Sequence, residues 1–237
     1  MLSQKQYWRH TVVNESSIST YYILDLDRTI FDTVKATILM EGVVALHDTN
    51  LAASLSSKFE ETNALGESFS IRDFIAESVG EEETLKIEEK YKAAAAGQDL
   101  FMPGARELMA YIYTLEHDMF GIMTYGSPLG QAMKIQAAGL GDVPTLITQE
   151  TFKGAEIATW RQADGLYHMP TELGGVTAKE IVFIDDKPFS FKGLPIDCRG
   201  YLVKSVFDAG IEKIPIAVVP VNSLSEIISA EKARLTA

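Results

Sequence analysis

Cysteine occurs once in the chain, at Cys198, so no internal disulfide can form and a packed thiol is the plain reading of that residue. Histidine is nearly as scarce. His10, His47, His117 and His168 are scattered without the spacing of a metal cluster and read as surface or core residues. Long apolar runs are missing too: nothing approaches the roughly 20 residues needed to cross a bilayer. The first twenty residues hold neither an apolar h-region nor a small-residue cleavage site, so a cytoplasmic location without a membrane partner is expected. Asn14, Glu15 and Ser16 match a glycosylation acceptor, which without export is a chance match. Positive charge is in deficit. With 21 Lys and Arg against 33 Asp and Glu, the net charge of -12 argues against nucleic acid as a partner, because binding its backbone needs clustered cations. A small anionic substrate remains compatible, since a metal ion and one lysine can reverse the field inside a pocket.

What is present is an ordinary globular composition, enough at 237 residues for one substantial core with a smaller inserted lobe. Apolar, β-rich runs at Tyr21–Leu24, Met119–Met123, Thr145–Ile147, Ile181–Ile184 and Tyr201–Val203, with a last one around Ile216–Val219, alternate with helical patterns. That alternation predicts an α/β fold with a parallel sheet flanked by helices. Helix signals open at Pro103, at Ser127–Pro128, and at a Ser223–Glu226 capping box. Residues 33–99 differ: almost no strand-like run occurs, while Leu39, Val43 and Leu46, then Leu51, Leu55 and Phe59, then Ile71, Phe74 and Ile75 share helical faces. Glu82–Lys86 and Glu88–Lys92 have the spacing of pairs on a solvated face, and Gly97 stops the last helix. The expected organisation is a core of residues 1–32 and 100–237, with 33–99 as an inserted helical domain.

Polar chemistry is concentrated at the ends of the predicted strands. Asp25, Leu26, Asp27, Arg28 and Thr29 follow the first, Thr124, Tyr125 and Gly126 end the second, Lys153 lies beyond the third, and Asp185 and Asp186 end the fourth. In a doubly wound sheet these positions meet along one edge. Several carboxylates, a hydroxyl and an ammonium gathered there suit Mg²⁺, a hard cation that takes oxygen ligands and leaves room for a phosphate. Asp25 is placed to attack phosphorus and Asp27 to move protons. Thr124, with neighbouring backbone N–H groups and Lys153, would bind the phosphoryl oxygens, and Asp185 and Asp186 would hold the metal.

These residues, in this order, resemble the haloacid dehalogenase superfamily, in particular its magnesium-dependent phosphatases. The resemblance covers the chain from Tyr21 to about Tyr201 and includes FMPGARELM ahead of the second motif. It implies a Rossmann-like core with a helical cap inserted after the first motif, and a small phosphorylated metabolite as substrate. It also implies Mg²⁺ held by the Asp25 side chain, the backbone carbonyl of Asp27, and Asp186 with Asp185 assisting. Thr124, Tyr125, Gly126 and Lys153 would form the phosphate cradle.

Three departures stand out. Arg28 replaces the glycine of many members, Gly154 follows Lys153 where proline is common, and no further acid follows Asp186 within Lys187–Ser190. Lys134 is the rival to Lys153. A phosphomutase of the β-phosphoglucomutase type, or a catalytically silent binding protein on the same fold, is the alternative; Asp27 argues against a dehalogenase, which needs no acid to protonate a leaving alkoxide. Tyr21, Tyr22 and Trp160 read as packing residues, and Arg72 and Ser68 as surface residues.

Overall fold

The computed structural model describes residues 18–64, 69–204 and 218–236. His10, the 14–16 acceptor pattern, Ser68 and the first two residues of the 216–219 run lie outside them. In chain order the elements are β1 (Ile18–Leu24), α1 (Thr33–Ala45), α2 (Thr49–Ala64), α3 (Ile71–Val79), α4 (Glu81–Ala95), α5 (Ala105–Tyr113) and β2 (Asp118–Tyr125). There follow α6 (Pro128–Ala137), β3 (Thr145–Thr148), α7 (Lys153–Thr159), β4 (Tyr167–His168), β5 (Thr177–Asp185), β6 (Arg199–Val203), β7 (Val218–Val221) and α8 (Leu224–Leu235). They form two compact units. Of the described residues, one holds Ile18–Phe31, Phe101–Thr124 and those from Asp142 onward; the other holds those of Asp32–Leu100 and Tyr125–Gly141.

The first unit is α/β and Rossmann-like. Its sheet runs β3-β2-β1-β5-β6-β7, with the short β4 paired antiparallel to β5. The pairings of β1 with β2 and β5, of β5 with β6, and of β6 with β7 are parallel. Strands covered on both faces need continuous apolar runs rather than alternating ones, which is why Tyr21–Leu24 and Ile181–Ile184 are completely buried at the centre. The two-residue β4 has too little length to leave any periodicity in the sequence. Strand order reverses direction between β1 and β5, and the crevice at the C-terminal ends of these strands is where such sheets accept ligands.

The packing tyrosines also fix positions. Tyr21 donates its hydroxyl to Leu173 O at 2.8 Å and fills the space over Gly121, where a Cβ would lie 2.3 Å from it. Tyr22 and Tyr201 donate to the fully buried Glu231 of α8, at 3.1 and 2.8 Å, and Arg199 completes that network. The start of α8 differs from a full capping box. Ser223 makes no side-chain cap, and Glu226 alone reaches back, accepting from the N–H of Asn222 at 3.1 Å.

Among its described residues the second unit has helices and no strand, and is built on Met40, Val44, Leu55, Ile75, Ile87 and Tyr91. It extends past the 33–99 insertion because Met133 and Ala137 of α6 pack on the same core. Gly130 presses on α3, where a Cβ would meet Ser70 Oγ at 2.6 Å. Two surface readings need correction. Arg72 is only 5% exposed and ties α3 to α4 through Glu81 and Glu88, so its charge is spent on two carboxylates within the unit. Glu88 therefore faces Arg72 rather than serving a solvated pair with Lys92, whereas Glu82 does reach Lys86, at 3.2 Å. Leu46 lies beyond the end of α1 and is exposed, leaving Val43 as the buried member of its predicted face.

Candidate active site

Strand register assembles the site. Leu24 pairs with Ile184 on one side and Ile122 on the other, and the Asp25 N–H extends the ladder by donating to Ile184 O at 2.9 Å. Asp25 thus comes level with the end of β5, where Asp185 and Asp186 follow, and near the end of β2, which carries Thr124. The carboxylate oxygens of Asp25, Asp185 and Asp186 lie within 4.8 Å of one another, and all three residues are buried.

Lys153 enters as the first residue of α7 and is 3% exposed. Its Nζ donates to Asp25 Oδ1 at 2.5 Å and to Asp185 Oδ2 at 2.8 Å. Lys134 lies on α6 in the helical unit. The second oxygen of Asp185 accepts from the Lys187 N–H at 2.8 Å, so both of its oxygens are engaged. Asp186 is different: its Oδ1 is buried and has no hydrogen-bond partner.

Thr29, for which the sequence predicts no role, also belongs to the site. Its hydroxyl donates to Asp25 Oδ2 at 2.8 Å from a fully buried position. The available signal was its spacing, four residues after Asp25, because the turn folds back with Ile30 and Phe31 both donating to Leu26 O. That turn forces Arg28 to φ +62°, a left-handed conformation where glycine is at ease and other residues are strained. Asp27, half-buried in the same turn, stands outside the three-carboxylate set but close enough for its charge to act on Asp25. Thr124 is completely buried, and its hydroxyl has no hydrogen-bond partner. Tyr125 ends β2, and Gly126 follows at φ +138°, a conformation for which glycine suits.

Charge in the cluster does not balance. Three carboxylates outnumber the ammonium groups that act on them, Lys153 and, on Asp186, Lys187, and removal from water disfavours their ionised forms. Burial pushes the Asp25 carboxyl up to about 6, Asp185 and Asp27 push the same way, and Lys153 opposes them. Burial, then the charges of Asp25 and Asp185, hold Asp186 well above the ordinary carboxylate range. Burial works against the charge of Lys153, but Asp185 and Asp25 outweigh it and keep the ammonium protonated. A divalent cation fits this donor set: it would supply the missing positive charge and a partner for the orphaned Asp186 oxygen.

No sequence-family profile matches the chain, and no curated protein matches it. Solved structures do. A haloacid dehalogenase-like protein from Burkholderia xenovorans LB400 superposes with a TM-score of 0.59 at 17% identity, covering 93% of this chain and all of the other. A β-phosphoglucomutase-like protein from Thermotoga maritima gives 0.51 at 15% identity, over 91% of this chain and 99% of its own. An L-2-haloacid dehalogenase gives 0.50 at 12% identity, over 92% and 100%. At such identities the likeness speaks to architecture, and with the strand order and the helical insertion it establishes that this chain has the fold of the haloacid dehalogenase superfamily.

Proposed function

We propose that the protein is a Mg²⁺-dependent hydrolase that removes phosphate from a small phosphate monoester through an aspartyl-phosphate on Asp25. The reading is carried by one observation: Asp25, Asp185 and Asp186 share a buried cluster in which carboxylates outnumber the ammonium groups of Lys153 and Lys187, beside an orphaned carboxylate oxygen.

Asp186, Asp25 and the backbone carbonyl of Asp27 would hold the metal. Asp185 would assist while it anchors Lys153 and accepts from the Lys187 N–H. When bound, Mg²⁺ supplies positive charge to the cluster and to the phosphate of the substrate. In the first step a carboxylate oxygen of Asp25 attacks phosphorus, the ester P–O bond breaks, and Asp27 gives its proton to the departing alkoxide. In the second, water attacks the same phosphorus, Asp27 takes the proton, and the bond to Asp25 breaks to release phosphate. Thr29 and Lys153 orient the nucleophile by holding one oxygen each. The Thr124 hydroxyl and the backbone N–H groups of Tyr125 and Gly126 receive the phosphoryl oxygens, with Lys153 offsetting their charge.

Purified protein incubated with a generic aryl phosphate is expected to release phosphate only with Mg²⁺, and Asp25→Asn to release none. Equal release by both proteins would remove Asp25 as nucleophile. Halide release from a 2-haloacid, or isomerisation of a sugar phosphate without free phosphate, would instead favour a dehalogenase or a mutase.

A further inference from the structure

Lys153 is a long, flexible side chain on a helix of only seven residues, yet it is held between carboxylates from two different strands. Something must fix the start of α7 relative to the loop after β5. The closest approach of these two segments is backbone on backbone. A Cβ on Gly154 would fall 2.8 Å from Leu194 N, 2.9 Å from Phe191 O and 3.0 Å from Lys192 O. From the other side, Gly193 sits at φ +80°, and a Cβ there would fall 2.9 Å from the Cβ and 3.0 Å from the Cα of Ala155. Each segment has a glycine where it meets the other. Gly154 follows Lys153 directly, and Gly193 ends the segment that begins with Asp185, Asp186 and Lys187.

We propose that Gly154 and Gly193 form a reciprocal backbone clamp that positions Lys153 between Asp25 and Asp185. Both are positioning residues, acting through the ammonium rather than on a substrate. The clamp accounts for the missing proline after Lys153, because any Cβ at residue 154, that of a proline ring included, collides with fixed main chain. Backbone atoms cannot rotate away as a side chain does, so a substitution moves α7, and Lys153 with it. The placement of Lys153 follows from geometry alone; its consequence for turnover rests on the phosphatase reading.

The test measures Lys153 directly. Native protein is treated with an amine-reactive acylating reagent, and modification of each lysine is followed by peptide mass spectrometry, with exposed Lys179 as the internal reference. In the wild type Lys153 should be protected. In Gly154→Ala it should be modified at a rate approaching that of Lys179. Gly121→Ala is the control: it creates a comparable clash, against Tyr21 and Pro144, without touching the clamp, and should lower the unfolding temperature while Lys153 stays protected. Should Gly154→Ala fail to fold, Gly193→Asn replaces it, since asparagine tolerates positive φ but retains the colliding Cβ. Protection of Lys153 equal to that of Gly121→Ala, or failure of both clamp variants to fold, overturns the proposal. In the aryl phosphate assay the clamp variants should lose roughly a hundredfold in kcat, the scale of a 1 Å misplacement. Absence of turnover in the wild type would end the phosphatase reading, while the modification rates would still decide the clamp.

Discussion

Lys153 Nζ lies 2.5 Å from Asp25 Oδ1 although the two residues are 128 positions apart, and the same ammonium reaches Asp185 at 2.8 Å. The contact is at once electrostatic support for a buried cluster and the means of orienting a nucleophile. Lys153→Met keeps the apolar stem and removes the charge. Without Mg²⁺ at pH 8 the variant should lose about 3–5 kcal/mol, the usual cost of leaving a buried charge without its partner. The loss should shrink towards pH 5, where Asp25 takes up a proton. Urea unfolding at the two pH values measures this, and equal losses would show that the ammonium does not compensate the carboxylates.

Asp186 gives the opposite sign. Its carboxylate is buried beside two others and is held above its ordinary range by burial and by their charges, so in the metal-free protein its ionisation opposes folding. Asp186→Asn should therefore raise the unfolding temperature of metal-free protein at pH 8 and abolish the further rise that Mg²⁺ gives the wild type. Metal and protons compete for the same oxygens, and Asp25 titrates near 6, so the wild-type response to Mg²⁺ should be large at pH 8 and small at pH 5. Thermal unfolding with and without Mg²⁺ reads both effects. A variant still stabilised by Mg²⁺ would place the metal elsewhere.

Thr124 offers a buried hydroxyl with no hydrogen-bond partner. Thr124→Val keeps the shape and removes a group that already lacks a partner, so stability should hold or rise slightly. A hydrogen bond to a charged phosphoryl oxygen contributes about 1.5–3 kcal/mol. Turnover of an aryl phosphate, as kcat/KM, should accordingly fall by about ten- to a hundredfold. Unchanged kinetics would take Thr124 out of the phosphate cradle.

The sequence revealed the sheet because buried parallel strands are continuous apolar runs, and Tyr21–Leu24 and Ile181–Ile184 are the two most buried. Asp25, Thr124, Asp185 and Asp186 could be found because each comes at or just beyond a strand end, where the fold itself brings them together. Other features had no such signature. Arg72 looks like any surface arginine until α3 and α4 pack and enclose it between Glu81 and Glu88. Helix α6 follows a core strand in sequence, and only its contacts through Gly130, Met133 and Ala137 place it with the helical unit. The partner of Thr29 depends on how tightly the turn after Asp25 closes, and the contact of Lys153 with Asp25 depends on packing that joins segments far apart in the chain.

Arg28 carries the strain of that turn. At φ +62° a non-glycine residue costs about 1–2 kcal/mol, while glycine gives back about 0.5–1 kcal/mol in unfolded-chain entropy. Arg28→Gly should therefore stabilise the protein by about 0.5–1 kcal/mol in chemical unfolding. Phosphate release from a simple aryl ester should persist. A loss of stability would mean that contacts of the arginine side chain outweigh the backbone strain.

Glu231 ties α8 to the sheet and sets a second, separate pH dependence. Burial works against its ionisation, but Arg199 and the hydroxyls of Tyr201 and Tyr22 outweigh it, so the folded carboxyl titrates below its ordinary 4.5. A carboxylate depressed on folding contributes stability that is fully present above its unfolded pKa and is lost as pH falls through the folded one. Glu231→Gln keeps the size, removes the charge and faces an amide N–H towards groups that are themselves donors. At pH 7 it should cost about 2–3 kcal/mol, less than a fully broken buried pair because Arg199 also reaches Glu180 at 2.6 Å. Below pH 4.5 the wild type should lose that advantage and the two unfolding curves should converge. A difference that stays constant down to pH 3 would mean that shape and hydrogen-bond count, rather than the charge on Glu231, hold α8 in place.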